Sequence, residues 1–493
     1  MNKTNNTKQA TWVALGSLFS FGFGIVSSMI LSRYFDKGDY GTYKQVLYVY
    51  NTLLVVFTLG LPRAYSYFLP RVANEEAKSL IQKINTLFFL LGGVFSFLLF
   101  VGSSIIADLM NNENLEFALR IFSLVPLFML PTMGLEAILA TYKKTQFLAY
   151  YNIVTRLISL ICVCAPIILW NGGLTDALVG FLIASFFSFV VALYLKYLPV
   201  KDYKKETTNT TYRDIFNFSL PLLYASLWGM VIKSTDQFFI SRYYGNETFA
   251  DYSNGATELP FIGMIIGACS TVLSPVFSKL QHQKADVQKE IYPIWINVFK
   301  KSAMLIYPIL LLSIFYSDIL MVVLYGAKYD TSYAYFCIIS IANFFSLIAI
   351  APLLIGIGKV RYYANVHMIS AVILVLLEFA VVSIGLPPYY IAIVSSLNHI
   401  FRIFAMLYII AKFFNLTIIQ LFPIPTLSKI VCPSVLILTT LRLLGAELPI
   451  SNVCHLLIAT CVYLILFMIT SKWLKLDYIS ILKPLKKKCL RSF

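Results

Sequence analysis

The chain has 493 residues, 59% hydrophobic and 13% charged, with 39 Lys and Arg against 23 Asp and Glu and a net charge of +16. A soluble chain of this length divides into several domains and carries about a quarter charged residues. Here the apolar residues come in runs of about 20, the length that crosses about 30 Å of hydrocarbon. That excludes a soluble enzyme. It also excludes a membrane β-barrel, whose strands read as segments of about ten residues alternating with period 2.

In chain order, MNKTNNTKQATW opens the sequence as a short polar stretch with two lysines. The apolar run that follows, 12–34, is too long for a signal-peptide core and lacks a small-residue cleavage site, so it reads as a retained first span. Thirteen more spans are predicted at about 42–61, 84–107, 118–141, 146–170, 176–198, 214–242, 249–277, 294–317, 333–356, 362–384, 389–411, 430–446 and 453–471. The fold class expected is therefore an all-α polytopic membrane protein of about fourteen transmembrane helices. No connection exceeds about 20 residues, which leaves no room for a soluble catalytic domain. The eight cysteines have neither zinc-like spacing nor paired placement in outer loops, and read as small membrane-compatible residues.

Lys and Arg in short loops set orientation. With both termini on one side, the loops of that side carry 27 Lys and Arg and those of the other side six, and six more lie within spans. Both termini are therefore expected in the cytoplasm. The same asymmetry explains most of the net charge as loop residues beside anionic lipid, so no nucleic-acid partner is needed.

An internal repeat runs through the spans. SRYFDKGDYGTY (32–43) follows span 1 and SRYYGNETFADY (241–252) follows span 7, aligned without a gap at an offset of 209. ATYKKTQF ends span 4 and IGIGKVRYY ends span 10, with Lys144 against Lys359 at an offset of 215. Six spans separate the copies, an even number, so both copies have one orientation in the membrane and form a parallel repeat. The expected organisation is an N-lobe at 1–198 with spans 1–6, a cytoplasmic linker at 199–213, a C-lobe at 214–412 with spans 7–12, and spans 13 and 14 with a basic tail at 413–493. Two lobes around a central site suit alternating access.

Four stretches carry a family resemblance: the repeated S-R-Y-[FY]-x4-[YF]-[GA]-x-Y element, SLPLLYASLWGMVIKSTDQFFISRYYG (219–245), LSPVFSKL (273–280) and GIGKVRYYANVHMI (356–369). Together they resemble the Wzx-type lipid-linked oligosaccharide flippases of the multidrug, oligosaccharidyl-lipid and polysaccharide exporter superfamily. The resemblance covers nearly the whole chain. It implies translocation of undecaprenyl-diphosphate-linked sugar repeat units, for O-antigen, capsule or exopolysaccharide, from the cytoplasmic to the periplasmic leaflet of a bacterial inner membrane. It implies no enzyme activity and no cofactor. The partners implied are the lipid-linked oligosaccharide, membrane lipids, a coupling proton or sodium ion, and other membrane proteins of polysaccharide assembly. Two other readings stay open: a cation-coupled exporter of drugs or small molecules in the same superfamily, which would favour acidic cavity residues, and a membrane polymerase or ligase. The second would need a large outer loop with catalytic Arg or His, and no outer loop here exceeds about a dozen residues.

Ionisable groups inside spans are costly and usually face a cavity or a partner. In span 7, Ser226, Gly229, Lys233 and Asp236 share one helical face by spacings of 3, 4 and 3. The offset of 209 sets Ser17, Ser20, Gly24 and Ser27 of span 1 against that stripe. Lys233 is a candidate contact for an anionic head group with Asp236 tuning it; the alternative is a local i,i+3 ion pair. Arg156 in span 5 and Arg402 in span 12 offer the donors that suit a diphosphate. Arg402 has an alternative role as a structural partner of Glu378. Arg63 is a candidate at the cytoplasmic mouth, or an interfacial anchor. Glu258, Glu378, Glu136 and Asp236 are candidate proton or sodium sites. His367 and His399 are expected to satisfy local hydrogen bonds. Tyr224 is one aromatic that could stack on sugar. No catalytic or metal-ligand constellation emerges.

Overall fold

The computed structural model describes residues 3–257, 259–445 and 451–478. Among them every regular element is helical. The chain forms two compact units, 1–253 and 254–493. Eleven helices or helix runs are long and apolar enough to span a membrane, and a bent pair, Tyr212–Tyr224 with Ser226–Gly255, makes up to twelve. Helices also cover the expected first and eighth spans, though they do not enter that number, so among the described residues the length-and-composition measure does not reach the expected fourteen. The protein is an integral membrane protein.

In the first unit, α1 (Lys3–Tyr34) packs along α4 (Thr145–Trp170), and α4 in turn packs on α5 (Leu174–Tyr197). Between them in sequence lie α2 (Lys37–Phe57) and α3 (Asn74–Val101). Pro166 lies inside α4 and cannot donate to the Cys162 carbonyl. Gly180 of α5 takes the place against that carbonyl: a Cβ there would stand 2.0 Å from Cys162 O. The long α6 (Tyr212–Gly255) clusters with this first unit up to residue 253. The connection before it is tied down. Lys83 Nζ donates to the carbonyls of Thr208 at 3.2 Å and Thr210 at 2.9 Å, and Glu206 N donates to Glu75 O.

The second unit contains α7 (Pro260–His282), α8 (Tyr292–Phe315), α9 (Ser332–Ser346), α10 (Ile350–Gly356), α11 (Val360–Ser383), α12 (Tyr389–Phe414), α13 (Ile424–Gly445) and α14 (Asn452–Trp473). Its core is aromatic and aliphatic, with Trp295, Phe299, Tyr307, Leu353, Phe414 and Tyr463 buried. In a membrane, each backbone group freed by proline needs an internal partner. Pro308 frees the Met304 carbonyl, and Tyr478 Oη donates to it at 2.8 Å. Pro352 has no N–H for the Ile348 carbonyl; Ile350 N donates to it at 2.7 Å instead, and the helix breaks between α9 and α10.

The repeat is visible in the element boundaries. The helices Leu135–Thr141 and α10 start and end 215 residues apart, α4 and α11 start 215 apart, and α5 and α12 start 215 apart. The other offset holds too. Asp36 caps α2 between the first two helices, and 209 residues on Gly245 interrupts α6 with φ of 84°.

Candidate functional site

The two copies of the SRY element lie against each other inside the first unit. Lys37 Nζ pairs with Asp251 at 3.1 Å. Asn246 Nδ2 donates to Gly38 O at 3.2 Å, and Gln45 Nε2 donates to Ser241 Oγ at 2.7 Å. Asn112 Nδ2 joins them, donating to Gln45 Oε1 at 2.6 Å and Thr42 Oγ1 at 2.9 Å. The approach needs a glycine: a Cβ at Gly41 would stand 2.1 Å from Asn246 O. The sequence pattern shows the two elements as alike, and the structure adds that they touch.

The stripes on α1 and α6 have a different character. A Cβ added at Gly24 or Gly229 meets nothing within 4 Å. These glycines therefore line an open face, unlike Gly41 and Gly180, which admit close backbone. On that face of α6, Ser226 and Lys233 are exposed. Asp236 is buried, and its Oδ2 accepts from Tyr252 Oη at 2.7 Å. Tyr224 is exposed further toward the start of α6, with Trp228 edge-on to it.

Arg156 is exposed on α4, within electrostatic reach of Tyr43, Tyr50 and Tyr151. Arg63 is exposed near the start of the short helix Pro62–Phe68, after a turn through Leu59 and Gly60, both at positive φ. Glu136 is exposed. Glu258 lies outside the described residues. Lys196, at the end of the span expected at 176–198, is wholly buried. Its Nζ donates to Asn85 Oδ1 at 2.8 Å, Met133 O at 2.6 Å and Tyr65 Oη at 3.4 Å, with the Tyr65 and Phe88 rings beside it. Nothing in its local sequence signals this, because its acceptors come from three distant segments.

In the second unit, Arg402 is buried and borders a cavity of about 180 Å³. His399, His367, Tyr363, Ser346 and Cys269 line it with Arg402. The break between α9 and α10 opens into it, so residues 347–349 contribute irregular backbone to the lining. Irregular backbone at membrane depth is found where it is buried in protein or lines a cavity. Arg402 Nη2 donates to His399 Nδ1 at 2.8 Å. His399 Nε2 lies 2.9 Å from Ser346 Oγ, and His367 Nδ1 donates to Tyr363 O at 2.9 Å. The bond of His367 is thus a local one, as expected; of those of His399, the one to Arg402 stays within α12 and the one to Ser346 joins α12 to α9.

The partnership of Arg402 with Glu378 does not fit the register. Ser370 Oγ donates to Asn398 Oδ1 at 3.1 Å, which aligns α11 and α12 antiparallel. Arg402 is then level with residue 366 and Glu378 with residue 390, about 18 Å apart along the axes at 1.5 Å per residue. Glu378 is fully buried elsewhere on α11.

The sequence profile described as "Polysaccharide biosynthesis protein" matches residues 30–334. No curated protein matches. Among solved structures, the fold is similar to the lipid II flippase MurJ in an inward closed conformation, at TM-score 0.72 and 16% identity over 94% of this chain and 99% of that one. It is also similar to an inward-facing multidrug-resistance MATE family transporter of the MOP superfamily, at TM-score 0.62 and 14% identity over 81% of this chain and 94% of that one. A third, a MOP superfamily transporter from Pyrococcus furiosus described as having a binding pocket of reverse polarity, matches at TM-score 0.58 and 14% identity over 84% and 96% of the two chains.

Proposed function

The chain belongs to the polysaccharide biosynthesis protein family, and from that premise we propose that it flips an undecaprenyl-diphosphate-linked oligosaccharide from the cytoplasmic to the periplasmic leaflet of a bacterial inner membrane. It does so without enzyme chemistry, by alternating access, with both termini in the cytoplasm. The observation that carries the reading is Arg402, a buried cation on a membrane helix that borders a cavity. A diphosphate cannot cross hydrocarbon unaided, and a guanidinium supplies several donors to phosphate oxygens. Lys233 and Arg156, exposed on α6 and α4, are the further diphosphate contacts, and Arg63 meets the head group at the cytoplasmic mouth. Tyr224 stacks on sugar.

Complementation of a deletion strain tests this, scored as surface glycan per unit of membrane protein. Lys233→Ala should lose glycan with protein level kept, and Lys233→Arg should keep part of it, since charge survives while geometry changes. A fully active Lys233→Ala, Asp236→Ala double variant would remove Lys233 from the site. A cation-coupled exporter of small molecules is the second reading, and buried Asp236 on Tyr252 is the observation that favours it. In that case Asp236→Asn would abolish drug efflux and leave glycan unchanged.

A further inference from the structure

A group of cations that the proposed flippase site does not use lies where α8, α13 and α14 meet. These three helices contain Lys300, Lys301, Lys429, Arg442 and Lys472, and no Asp or Glu. At one end Arg442 is neutralised by Asp318 from outside them. The lysines gather at the other end. Tyr463 Oη of α14 fixes a common level, 3.1 Å from Pro308 O of α8 and 2.9 Å from Ser434 Oγ of α13. Tyr292 Oη donates to Gln420 O at 3.2 Å, so α8 and α13 start at the same end. From the common level Lys300 is about 12 Å, Lys429 about 8 Å and Lys472 about 14 Å toward that end, at 1.5 Å per residue.

Two lysines converge on the seam between α8 and α14. Lys300 continues the row of Pro308 and Met304 that faces α14, one turn beyond the carbonyl to which Tyr478 Oη donates at 2.8 Å. On α14 the buried row Tyr463, Phe467 and Ser471 runs on to Lys475. Lys475 stands at φ 56° and Leu476 N donates to Ser471 O, so the chain turns there and carries Tyr478 back to α8. Lys301 and Lys472 flank the pair and are exposed. Trp473, 82% exposed beside Lys472, marks the head-group level, where tryptophan collects.

Lysine brings three donors and no acceptor. Among the described residues, Lys300, Lys301, Lys472 and Lys475 have neither a hydrogen-bond acceptor nor an ion-pair partner. One carboxylate stands in the turn, that of exposed Asp477. The segment 479–493 adds five Lys and Arg and no acid, so it supplies no counter-charge. Water satisfies lysines in a loop, but Lys300 and Lys301 lie more than two turns inside α8, where an unpaired charge is costly. The bilayer itself offers the missing anion, since basic sites between helices at the cytoplasmic side take up lipid head groups. We propose that the seam between α8 and α14 binds the head group of an anionic phospholipid, with its phosphate held by Lys300 and Lys475 and with Lys301 and Lys472 at the rim. The bound lipid clamps α14 to α8. The inference goes beyond the flippase reading and does not depend on it.

The test uses the full-length protein, delipidated in a neutral detergent, with phosphatidylglycerol and phosphatidylcholine as probes. Native mass spectrometry counts bound lipid, and thermal unfolding reads the clamp. Phosphatidylglycerol should bind about tenfold more tightly than phosphatidylcholine and raise the unfolding temperature by about 3 °C. Lys300→Gln with Lys475→Gln should bring the two lipids to near parity and abolish the shift. Either substitution alone should weaken the preference about threefold, which reads the site even where the pair does not fold. Lys300→Arg with Lys475→Arg should keep both effects, because charge and donors survive. Lys201→Gln with Lys204→Gln removes the same charge from the exposed linker of the first unit and should change neither. Equal binding of the two lipids by wild type, a preference kept by the glutamine variants, or its loss in the linker variant would each overturn the proposal. A polyprenyl diphosphate is then added at equal concentration. Retention of phosphatidylglycerol supports a bilayer phospholipid as the occupant; its displacement assigns the seam to the transported lipid, and the proposal falls. None of these results bears on the glycan export of Lys233→Ala, so the flippase reading stands or falls separately.

Discussion

Each copy of the repeat buries one cation on its sixth span, and the two are treated in opposite ways. In the first copy, Lys196 is enclosed by three oxygen acceptors and two aromatic rings. Its place in the second copy, at an offset of 215, is taken by buried Ala411. In the second copy, Arg402 adjoins a cavity and uses a titratable ring as an acceptor, where the first copy has Phe187. A cation held entirely by neutral protein groups acts as a staple. One that borders a cavity is placed to meet a ligand. Burial alone does not separate these roles; whether the group borders a cavity does.

The largest effect expected is on the staple. Lys196→Met keeps most of the volume but removes the side-chain donor to Met133 O and leaves Asn85 Oδ1 only that of Tyr65 Oη, and should cost about 2 kcal/mol. Thermal unfolding in detergent and membrane abundance should both fall sharply. Normal abundance would erase the distinction between the two cations. Next, Arg402→Gln should lower glycan export about tenfold or more while membrane abundance stays within about twofold, as loss of charge-assisted contacts to a ligand predicts. If abundance drops as it does for Lys196→Met, Arg402 is a second staple. Smaller still is the ion pair between the SRY elements. Lys37 is partly exposed and Asp251 buried, so a double-mutant cycle on Lys37→Ala and Asp251→Ala should return a coupling of about 1 kcal/mol. A coupling near zero would leave the neutral bonds of Gln45 and Asn246 as what joins the elements. Smallest are Gly24→Ala and Gly229→Ala, which open on space and should shift stability by no more than about 0.5 kcal/mol.

Much of the architecture is legible in order and composition. The apolar runs mark the helices, since hydrocarbon requires both their length and their closed backbone bonding. The offset of 209 aligns Asp36 with Gly245, and both prove to be helix breaks. The offset of 215 aligns the starts of three helix pairs. The site was legible in part. Arg402 and its neighbour His399 are visible as costly residues three positions apart on one helix. That His367 and Ser346 join them is not, because these reach the cavity from two other helices.

What the sequence by itself determined is therefore the class of the protein, the repeat and the short list of costly residues. Hydropathy, loop charge and spacing are local properties that survive in a one-dimensional string. Tertiary structure alone decided which of those residues meet. The register set by Ser370 and Asn398 separates Arg402 from Glu378 and brings it to His367. The packing of α5 on distant segments makes Lys196, near a span end, a buried staple. The two SRY elements are alike in sequence, yet their contact rests on the absence of a side chain at Gly41, beside a carbonyl 205 residues away. Hydrogen bonds and ion pairs act over a few ångströms, and the chain brings groups that close only after its helices have packed.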